Sequence, residues 1–228
     1  MTTTYNFKDG KGPVPAHQHS NGGGWVADTA TGADTAHIGP DAKIYGNARV
    51  YDNAKLYCDA VVSGYAEVSG NAKVSGNARV YGNADVSDNV LVSGNAVVSG
   101  DARVYGNARV YDNVLVSGNV DVYGYVDVYG NARVYGNAEV SDNAHVSGNA
   151  VVSGDAKVSK TPVRISRSDG YDFVIVPCAD NVDRIIAGCH YFTFEEAYNH
   201  WNKEHPKYEE TTIILEALKK LYELQKTS

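Results

Sequence analysis

The chain has 228 residues, of which 43% are apolar and 21% charged, and this composition suits a globular protein of one large domain or two smaller ones. Its formal net charge of −7 argues against a nucleic-acid-binding protein, because such proteins usually carry a basic patch. No run approaches the roughly 18 apolar residues of a membrane-spanning helix, and MTTTYNFKDGKG lacks the apolar core of a secretory signal. The sparse cysteines, Cys58, Cys178 and Cys189, indicate free thiols. We therefore expect a cytoplasmic protein.

Residues 1–25 form a predicted N-terminal arm, rich in Pro and Gly from Pro13 onward. We expect this arm to lie over or beside the repeat that follows it, with Trp25 as its anchor. His17 and His19 are two residues apart, a spacing that places both side chains on one side of a strand, where they could bind a metal. Two histidines do not complete a metal site. We interpret the segment as an ordinary flexible arm and predict no metal or cofactor.

A six-residue repeat follows, and it runs from Val26 to Lys157 without an insertion or deletion, which gives 132/6 = 22 units. Each unit contains an aliphatic residue, Tyr or Ser, Gly or Asp, Asn, Ala and a variable residue, as in VYGNARVYGNAEV at 128–140. A helix of about 3.6 residues per turn cannot use this period. A short strand followed by a corner can, because the aliphatic residue then lies inward and its neighbours lie outward. Gly and Asn tolerate the left-handed backbone of such a corner.

This pattern resembles the hexapeptide repeat of left-handed parallel β-helix proteins, whose motif is aliphatic-x-x-x-small-x. The resemblance covers residues 26–158 and implies three units per coil in a triangular prism. The prism would have about seven coils and a length of roughly 35 Å at a strand spacing of about 4.8 Å. Left-handed coiling would be an exception to the right-handed rule for parallel crossovers. We therefore predict a mainly β protein, with a left-handed parallel β-helix over 26–160.

Three units per coil place equivalent positions of successive coils on the same face of the prism. Face 1 is predicted to present, before each inward aliphatic residue, Trp25, Lys43, Val61, Arg79, Val97, Leu115, Arg133 and Val151, with Tyr45, Tyr81 and Tyr135 beside them. Face 2 is predicted to present Arg49, Glu67, Asp85, Arg103, Asp121, Glu139 and Lys157. Face 3 is predicted to present His37, Lys55, Lys73, Leu91, Arg109, Asp127 and His145.

The aliphatic and tyrosine residues of face 1 indicate a contact surface, because large exposed apolar patches usually mark contacts. We predict that face 1 packs against other copies of the chain, as a trimer in preference to a dimer. The alternative is that valine merely suits a strand surface. The predicted interface comprises Val61, Arg79, Tyr81, Val97, Leu115, Arg133, Tyr135 and Val151. The charges of face 2 are interpreted as a solvated surface that neutralises itself.

Face 3 offers two weaker candidate sites. Cationic side chains there could meet phosphates while tyrosines stack on bases, as in a nucleotide-like ligand site; the residues are Lys55, Tyr57, Lys73, Arg109 and Tyr111. His145 is a candidate general base, because the pKa of histidine lies near neutrality. The family resemblance implies acyltransferases that work between subunits with such a base, usually beside a loop that breaks the repeat, and no loop breaks this one. Carbonic anhydrases of the fold need three zinc-binding histidines, and His37 and His145 stand six coils apart.

Residues 161–228 are predicted to form a small α+β module that covers the end of the prism. YDFVIVP and VDRIIAG predict a hairpin over 171–187. Thr193 and Glu196 form a capping box that begins a helix, whose buried side is predicted to contain Phe194, Ala197, Tyr198 and Trp201. A second helix is predicted from about Glu209 to Gln225, with a buried stripe of Ile214, Leu218, Leu221 and Tyr222. Cys189, next to His190, is interpreted as a packing residue at a strand end rather than as part of a catalytic pair.

The array, the strand pair and the GCxxFTFEEAxxHW-like segment together are similar to uncharacterised proteins of phages and prophages. The matching residues of that segment are Gly188, Cys189, Phe192, Thr193, Glu195, Glu196, His200 and Trp201. NGGGWVADTA, at 21–30, belongs to the same pattern. This resemblance implies a context, the cytoplasm of a host cell, and no particular reaction.

The function expected from these patterns is a non-enzymatic, self-associating β-helix that serves as a scaffold or binding protein. Its partners would be other copies of itself and a host protein or a small ligand held between subunits. One alternative is an acyltransferase of the hexapeptide-repeat class with His145 as the base. Another is a phage counter-defence protein that sequesters a nucleotide signal.

Overall fold

The computed structural model describes residues 3–159, 163–176, 183–187 and 190–226. The chain begins with a hairpin of two antiparallel strands, β1 (Thr4–Asn6) and β2 (Pro13–Gln18). The repeat then contributes, in chain order, β3 (Trp25–Ala27), β4 (Thr31–Gly32), β5 (His37–Ile38), β6 (Lys43–Ile44), β7 (Arg49–Val50), β8 (Lys55–Leu56), β9 (Val61–Val62), β10 (Glu67–Val68), β11 (Lys73–Val74), β12 (Arg79–Val80), β13 (Asp85–Val86), β14 (Leu91–Val92), β15 (Val97–Gly100), β16 (Arg103–Val104), β17 (Arg109–Val110), β18 (Leu115–Gly118), β19 (Asp121–Val122), β20 (Asp127–Val128), β21 (Arg133–Gly136), β22 (Glu139–Val140), β23 (His145–Val146), β24 (Val151–Val152) and β25 (Lys157–Val158).

These strands form three parallel sheets, and each sheet takes every third strand of the repeat. Each strand pairs with the equivalent strand of the next coil, so that Val61 lies beside Arg79 and Arg79 beside Val97. The three sheets are the three predicted faces, and the predicted parallel solenoid of about seven coils is confirmed. The face 1 sheet is extended to 10 strands, because β2 pairs antiparallel with β3 and brings β1 with it. The left-handed course of the coil stays a prediction.

The interior of the solenoid is filled by the aliphatic residue and the small residue of each unit. Val62, Val98 and Leu56 are fully buried, as are Ala66 and Ala96 on the turns between them. Burial of one such aliphatic side chain stabilises the fold by about 1.5–3 kcal/mol, and the ordering of the backbone offsets most of that gain. A single coil is therefore not stable by itself, and the fold depends on the stacking of many coils.

The corners are built by residues with a left-handed backbone. Gly118 has a φ of 91°, and a Cβ atom at this position would lie 2.8 Å from the carbonyl oxygen of Gly136 in the next coil. At other corners an aspartate takes the same conformation, and the carboxylate of Asp88 accepts a hydrogen bond from the backbone N–H of Gly106 at 2.9 Å. The corners thus bring consecutive coils into contact through the backbone.

Asparagines follow these corner residues and hydrogen-bond to one another along the edges of the prism. On the longest such ladder each side-chain amide donates to the side-chain carbonyl of the equivalent asparagine in the next coil, through Asn77, Asn95, Asn113, Asn131 and Asn149. Each asparagine of this ladder therefore finds a hydrogen-bond partner in the asparagine of a neighbouring coil. This explains why the same residue type recurs at this place in the unit.

The C-terminal module contains an antiparallel sheet of four strands in chain order, β26 (Arg164–Ser166), β27 (Asp172–Val176), β28 (Arg184–Ala187) and β29 (His190–Thr193), and two helices, α1 (Phe194–His200) and α2 (Tyr208–Lys226). The predicted hairpin is confirmed as β27 and β28, and the prediction missed the flanking strands. The capping box of α1 is confirmed, because Thr193 Oγ1 accepts a hydrogen bond from Glu196 N at 3.2 Å and Thr193 N donates to Glu196 Oε2 at 2.8 Å. Within the described residues, no helix has both the length and the apolar character needed to cross a membrane.

One member of the predicted stripe of α2 was wrong. Ile214 and Leu218 are buried as expected and Tyr222 is partly buried, but the side chain of Leu221 is 47% exposed. Thr211 and Leu215, both 0% exposed, lie on the packed side instead. The helix is rotated relative to the predicted stripe, because the surface of the four-stranded sheet decides which side of the helix is covered.

Both ends of the solenoid are covered. At the C-terminal end, Val174 and Ile186 of the module join the same buried cluster as the last coil, and Arg164 Nη1 donates to Ser147 Oγ at 3.2 Å. At the N-terminal end, the hairpin packs beside the first coil, where the ring of Tyr5 stacks on that of Trp25 with the centroids 4.4 Å apart. Trp25 is therefore the anchor that we predicted. The interpretation of this arm as flexible was wrong, because β-pairing with the face 1 sheet holds it.

Candidate functional site

Face 1 carries all of the predicted interface residues on one sheet. Val61, Val97, Leu115 and Val151 are partly exposed in a single outward column, and they are interrupted by two arginines, Arg79 and Arg133. Tyr81 and Tyr135, which stand beside this column, are 42% and 41% exposed. Neither outward column of face 1 contains a carboxylate. Because every coil has the same length, equivalent positions of the repeat lie on the same face, and this set could be predicted from sequence alone.

The arm covers the N-terminal part of face 1, through contacts that were not predicted. Phe7 is buried against Tyr45, with ring centroids 5.0 Å apart, and Tyr5 lies over Trp25. The open apolar surface therefore begins near Val61. The alternation of Tyr5 and Phe7 in the sequence was the available signal for a strand that presents two aromatic rings to one side.

Face 2 is internally paired. Arg49 Nη1 lies 3.0 Å from Glu67 Oε1, Arg103 donates two hydrogen bonds to Asp121 at 2.7 and 2.6 Å, and Lys157 Nζ lies 3.0 Å from Glu139 Oε2. These ion pairs agree with the interpretation of face 2 as a surface that neutralises itself. The face consequently offers few unpaired charges to a partner.

The order of charges on face 2 leaves carboxylates side by side in two places, Glu67 with Asp85 and Asp121 with Glu139. Asp85 lies next to Glu67 in the sheet, and burial followed by the charge of Glu67 raises the pKa of Asp85. In the last coils, the pKa of Glu139 is lowered, first by the hydrogen bond from Tyr123 and then by the hydrogen bond and charge of Lys157. Two acids in the same column therefore have pKa values that shift in opposite directions.

The nucleotide-type candidates of face 3 lie in two groups. Lys55 and Lys73 are exposed neighbours on adjacent strands, and Tyr57 beside Lys55 is 38% exposed. Arg109 and Tyr111 lie three coils away from Lys55, or roughly 14 Å at the usual strand spacing. Tyr111 is stacked on Tyr129, with ring centroids 5.2 Å apart. In the part of the chain that the structure describes, no ion pair involves the three cationic residues of this set.

His145 has a carboxylate neighbour that was not predicted. Asp127 precedes His145 by one coil and lies beside it on the adjacent strand, with His145 Nδ1 3.4 Å from Asp127 Oδ2. This separation is longer than a good hydrogen bond. Asp127 occupies the same position in the preceding coil as His145 does in its own coil. This equivalence could have identified the pair from the sequence.

The two histidines of the arm have different surroundings. His17 is exposed, and its Nδ1 lies 3.0 Å from Asp28 Oδ1. His19 is only 4% exposed, and its Nε2 lies 3.1 Å from the carbonyl oxygen of Ala33 and 3.2 Å from that of Gly32. Because carbonyl oxygens only accept, Nε2 of His19 must donate. His19 therefore links the arm to the backbone of the first coil through these hydrogen bonds.

Three histidines of the module lie close together. The ring centroids of His190 and His200 are 4.6 Å apart, and those of His200 and His205 are 6.4 Å apart. Burial, and then the neighbouring His190 and His205, lower the pKa of His200. Among the described residues no group of three or more ligands is arranged to hold a metal ion. Cys178, Gly188 and Cys189 lie outside the described residues.

Two concave places lie away from the three faces. A cavity of about 140 Å³ is found between the last coil and the module, lined by residues that include Asn149, Tyr171 and Asp172. A shallower depression of about 420 Å³ lies at the start of α2, between Lys203 and Glu210. Neither is lined by any of the candidate site residues named from the sequence.

The repeat is similar to a known solenoid family. The family model described as "YdcK Beta solenoid repeat" matches residues 42–57, 72–85, 84–100, 102–118, 108–124 and 128–142. The search of curated proteins gave no match. The hexapeptide class and a phage origin stay predictions. The parallel coils and the matching segments together make this chain a β-solenoid repeat protein.

Proposed function

We propose that the protein is a non-enzymatic scaffold that associates with other copies of itself through face 1. The observation that carries this proposal is the column of partly exposed aliphatic residues formed by Val61, Val97, Leu115 and Val151, with Tyr81 and Tyr135 beside it. A rigid solenoid keeps these side chains in one plane, so little conformational entropy would be lost when a second flat surface packs against them.

The two arginines of face 1 favour one arrangement of the copies. A two-fold axis perpendicular to the prism and midway between Val97 and Leu115 would place Arg79 of one copy opposite Arg133 of the other, which brings like charges together. With an axis nearly parallel to the prism, each arginine lies near an edge of the neighbouring copy. It can reach a residue on that edge about one coil further along the prism. Asp101 and Asp155 stand at the matching heights on that edge, since Asp101 follows Arg79 at the same spacing as Asp155 follows Arg133. Both aspartates are exposed, which supports a trimer around a parallel axis.

The proposal is tested by the mass of the full chain in solution. Wild-type protein is expected at about three times the 24.5 kDa of one chain, and the double variant Val97→Asp/Leu115→Asp at the mass of one chain. Leu91→Asp is the matched control, because Leu91 occupies the same outward position on face 3 and is equally partly exposed. An unchanged mass for the double variant by light scattering, with the wild-type circular dichroism spectrum, rejects the interface.

An acyltransferase is the second candidate, and the neighbouring carboxylate of Asp127 is the observation that favours it. A general base is commonly oriented by a neighbouring third group such as a carboxylate. Titration with acetyl-CoA by calorimetry separates the two candidates. Heat of binding, together with acetyl transfer that is lost in His145→Ala and reduced in Asp127→Asn, supports the enzyme, whereas no heat supports the scaffold.

A small nucleotide-like ligand on face 3 remains a proposal of its own, supported by the exposed neighbours Lys55 and Lys73. Mass spectrometry of molecules released from purified, heat-denatured protein tests it directly. A phosphorylated compound that is present in the wild type and absent from Lys55→Gln/Lys73→Gln supports this site. The absence of any released compound rejects it for protein purified in that way.

A further inference from the structure

The C-terminal helix α2 has a second apolar stripe on the side that is not packed against the module. Ile213, Leu221 and Leu224 are 66%, 47% and 58% exposed. Together with Ala217, these residues stand at positions i, i+4, i+8 and i+11, which lie along one side of a helix. The stripe is separate from the buried residues Leu215 and Leu218, which hold α2 on the module.

This stripe is more than a set of scattered surface residues. Single exposed apolar residues are common on proteins, but an apolar line along three turns of one helix is the pattern of an interface. From Ile213 to Leu224 the line is about 16 Å long at 1.5 Å per residue. Ala217 lies near its middle, and its small side chain would allow a second helix to approach closely.

The charges beside the stripe identify the kind of helix that fits. Glu216 and Lys220 are exposed on the same flank of the stripe, and within the described part of the chain neither forms an ion pair. In an antiparallel pair of identical helices, the flank of one helix meets the same flank of the other. When Ile213 meets Leu224 of the second helix, Ala217 meets its Leu221, and Glu216 of each helix lies near Lys220 of the other.

We propose that α2 pairs antiparallel with α2 of a second copy of this chain, about a two-fold axis perpendicular to the helices. The pairing is isologous, so each favourable contact occurs twice. The surface is smaller than the roughly 800 Å² per partner of a standard interface, so the pair is weak on its own. It is independent of face 1, and in an assembly held by face 1 it would link one assembly to another with the gain of multivalency.

The test uses the full chain in two backgrounds, so that failure of this pairing is distinguished from failure of the face 1 interface. The first background is Val97→Asp/Leu115→Asp, measured by sedimentation velocity at a chain concentration on the order of 100 μM, at which a weak complex is populated. We expect a monomer–dimer equilibrium there. Addition of Leu221→Asp is expected to remove the dimer. In the wild-type background, Leu221→Asp is expected to reduce the average mass without reducing it to one chain if face 1 also associates.

Charge exchange tests the antiparallel arrangement itself. Glu216→Lys and Lys220→Glu, each alone, are expected to raise the dissociation constant about two- to tenfold, because each places two pairs of like charges together. The double exchange Glu216→Lys/Lys220→Glu is expected to restore the wild-type value. Glu204→Lys, an exposed substitution with the same change in charge outside α2, is the control. A mass that Leu221→Asp leaves unchanged in both backgrounds overturns the proposal, and so does a double exchange that fails to restore pairing.

Discussion

The solenoid and the C-terminal module differ in how far apart along the chain their contacting residues are. In the solenoid a backbone N–H donates to a carbonyl of the next coil, as from Val61 to Ala78, and side chains pair between equivalent positions of adjacent coils, as Arg103 does with Asp121. In the module, Arg167 bonds to Thr211 and Ser168 to Glu210, 44 and 42 residues away. The position of a residue within the repeat therefore determines its surroundings in the solenoid. In the module the surroundings depend on how the sheet and helices pack.

The largest expected effects come from buried leucines in the two regions. Leu56→Ala in the solenoid and Leu215→Ala in the module each remove a fully buried side chain, and each is expected to lower the free energy of unfolding by about 2–5 kcal/mol. Because both described helices belong to the module, the loss in Leu215→Ala should be seen first in the helical circular dichroism signal. If Leu56→Ala shifts that helical signal as much as Leu215→Ala does, the two regions unfold as one unit and the comparison fails.

Two arginines sharpen the comparison. Arg167 is 8% exposed and donates to the buried Thr211 hydroxyl at 2.9 Å, whereas the side chain of Arg103 is 60% exposed in its pair with Asp121. Arg167→Met is expected to cost about 1–3 kcal/mol, because Thr211 loses its partner away from water. Arg103→Met is expected to cost less than about 1 kcal/mol. Urea denaturation of both variants measures the difference, and equal losses would contradict it.

Substitution of two glycines that have a left-handed backbone allows the cost of backbone strain to be measured apart from the cost of steric crowding. Gly118 in the solenoid and Gly170 in the module have φ angles of 91° and 81°, but only at Gly118 would a Cβ atom meet the next coil. Alanine at either place is expected to cost about 1–2 kcal/mol for the left-handed conformation. At Gly118 a further cost of about 1–3 kcal/mol is expected from overpacking. Thermal melts of Gly118→Ala and Gly170→Ala measure the two losses of stability. Equal losses in the two variants would contradict the further cost at Gly118.

The smallest expected effects concern the two acids of face 2. The folded-state pKa of Glu139 is lowered, so its stabilisation is present above the pKa of the unfolded state and is lost as pH falls through the folded pKa. The folded-state pKa of Asp85 is raised, so its contribution is favourable at acidic pH and is lost as pH rises through the folded pKa. At pH 7, Glu139→Gln should therefore lower the melting temperature and Asp85→Asn should raise it.

Both effects on face 2 are expected to stay below about 1 kcal/mol, because these carboxylates are partly in water. The two variants should converge on the wild type as pH falls below the range in which the carboxylates titrate. Melting temperatures measured from neutral to acidic pH test the sign. A shift in the same direction for both variants at pH 7 would show that the order of charges along the column does not control their stability.

Much of the candidate site was available from sequence because it lies on the repeat. Val97 and Leu115 were placed on one face because they occupy the same position in successive coils, and the structure pairs them on adjacent strands. Asp127 beside His145 follows from the same arithmetic but was overlooked. The burial of His19 could not be predicted, because it depends on a chain reversal at Asn21 to Gly24 that returns the histidine to the carbonyls of Gly32 and Ala33.

The sequence by itself determined the solenoid, because an inward residue at every sixth position and a corner after each strand leave one way to bury the apolar side chains. It also determined the identity of the three faces. Only the tertiary structure decided which side of α2 is covered, since the sheet that covers it is assembled from strands distant in the chain. Leu221 was expected to be buried and is instead exposed, because a helix with apolar residues on two sides can be packed on either, and the contact with β27 selects one of them.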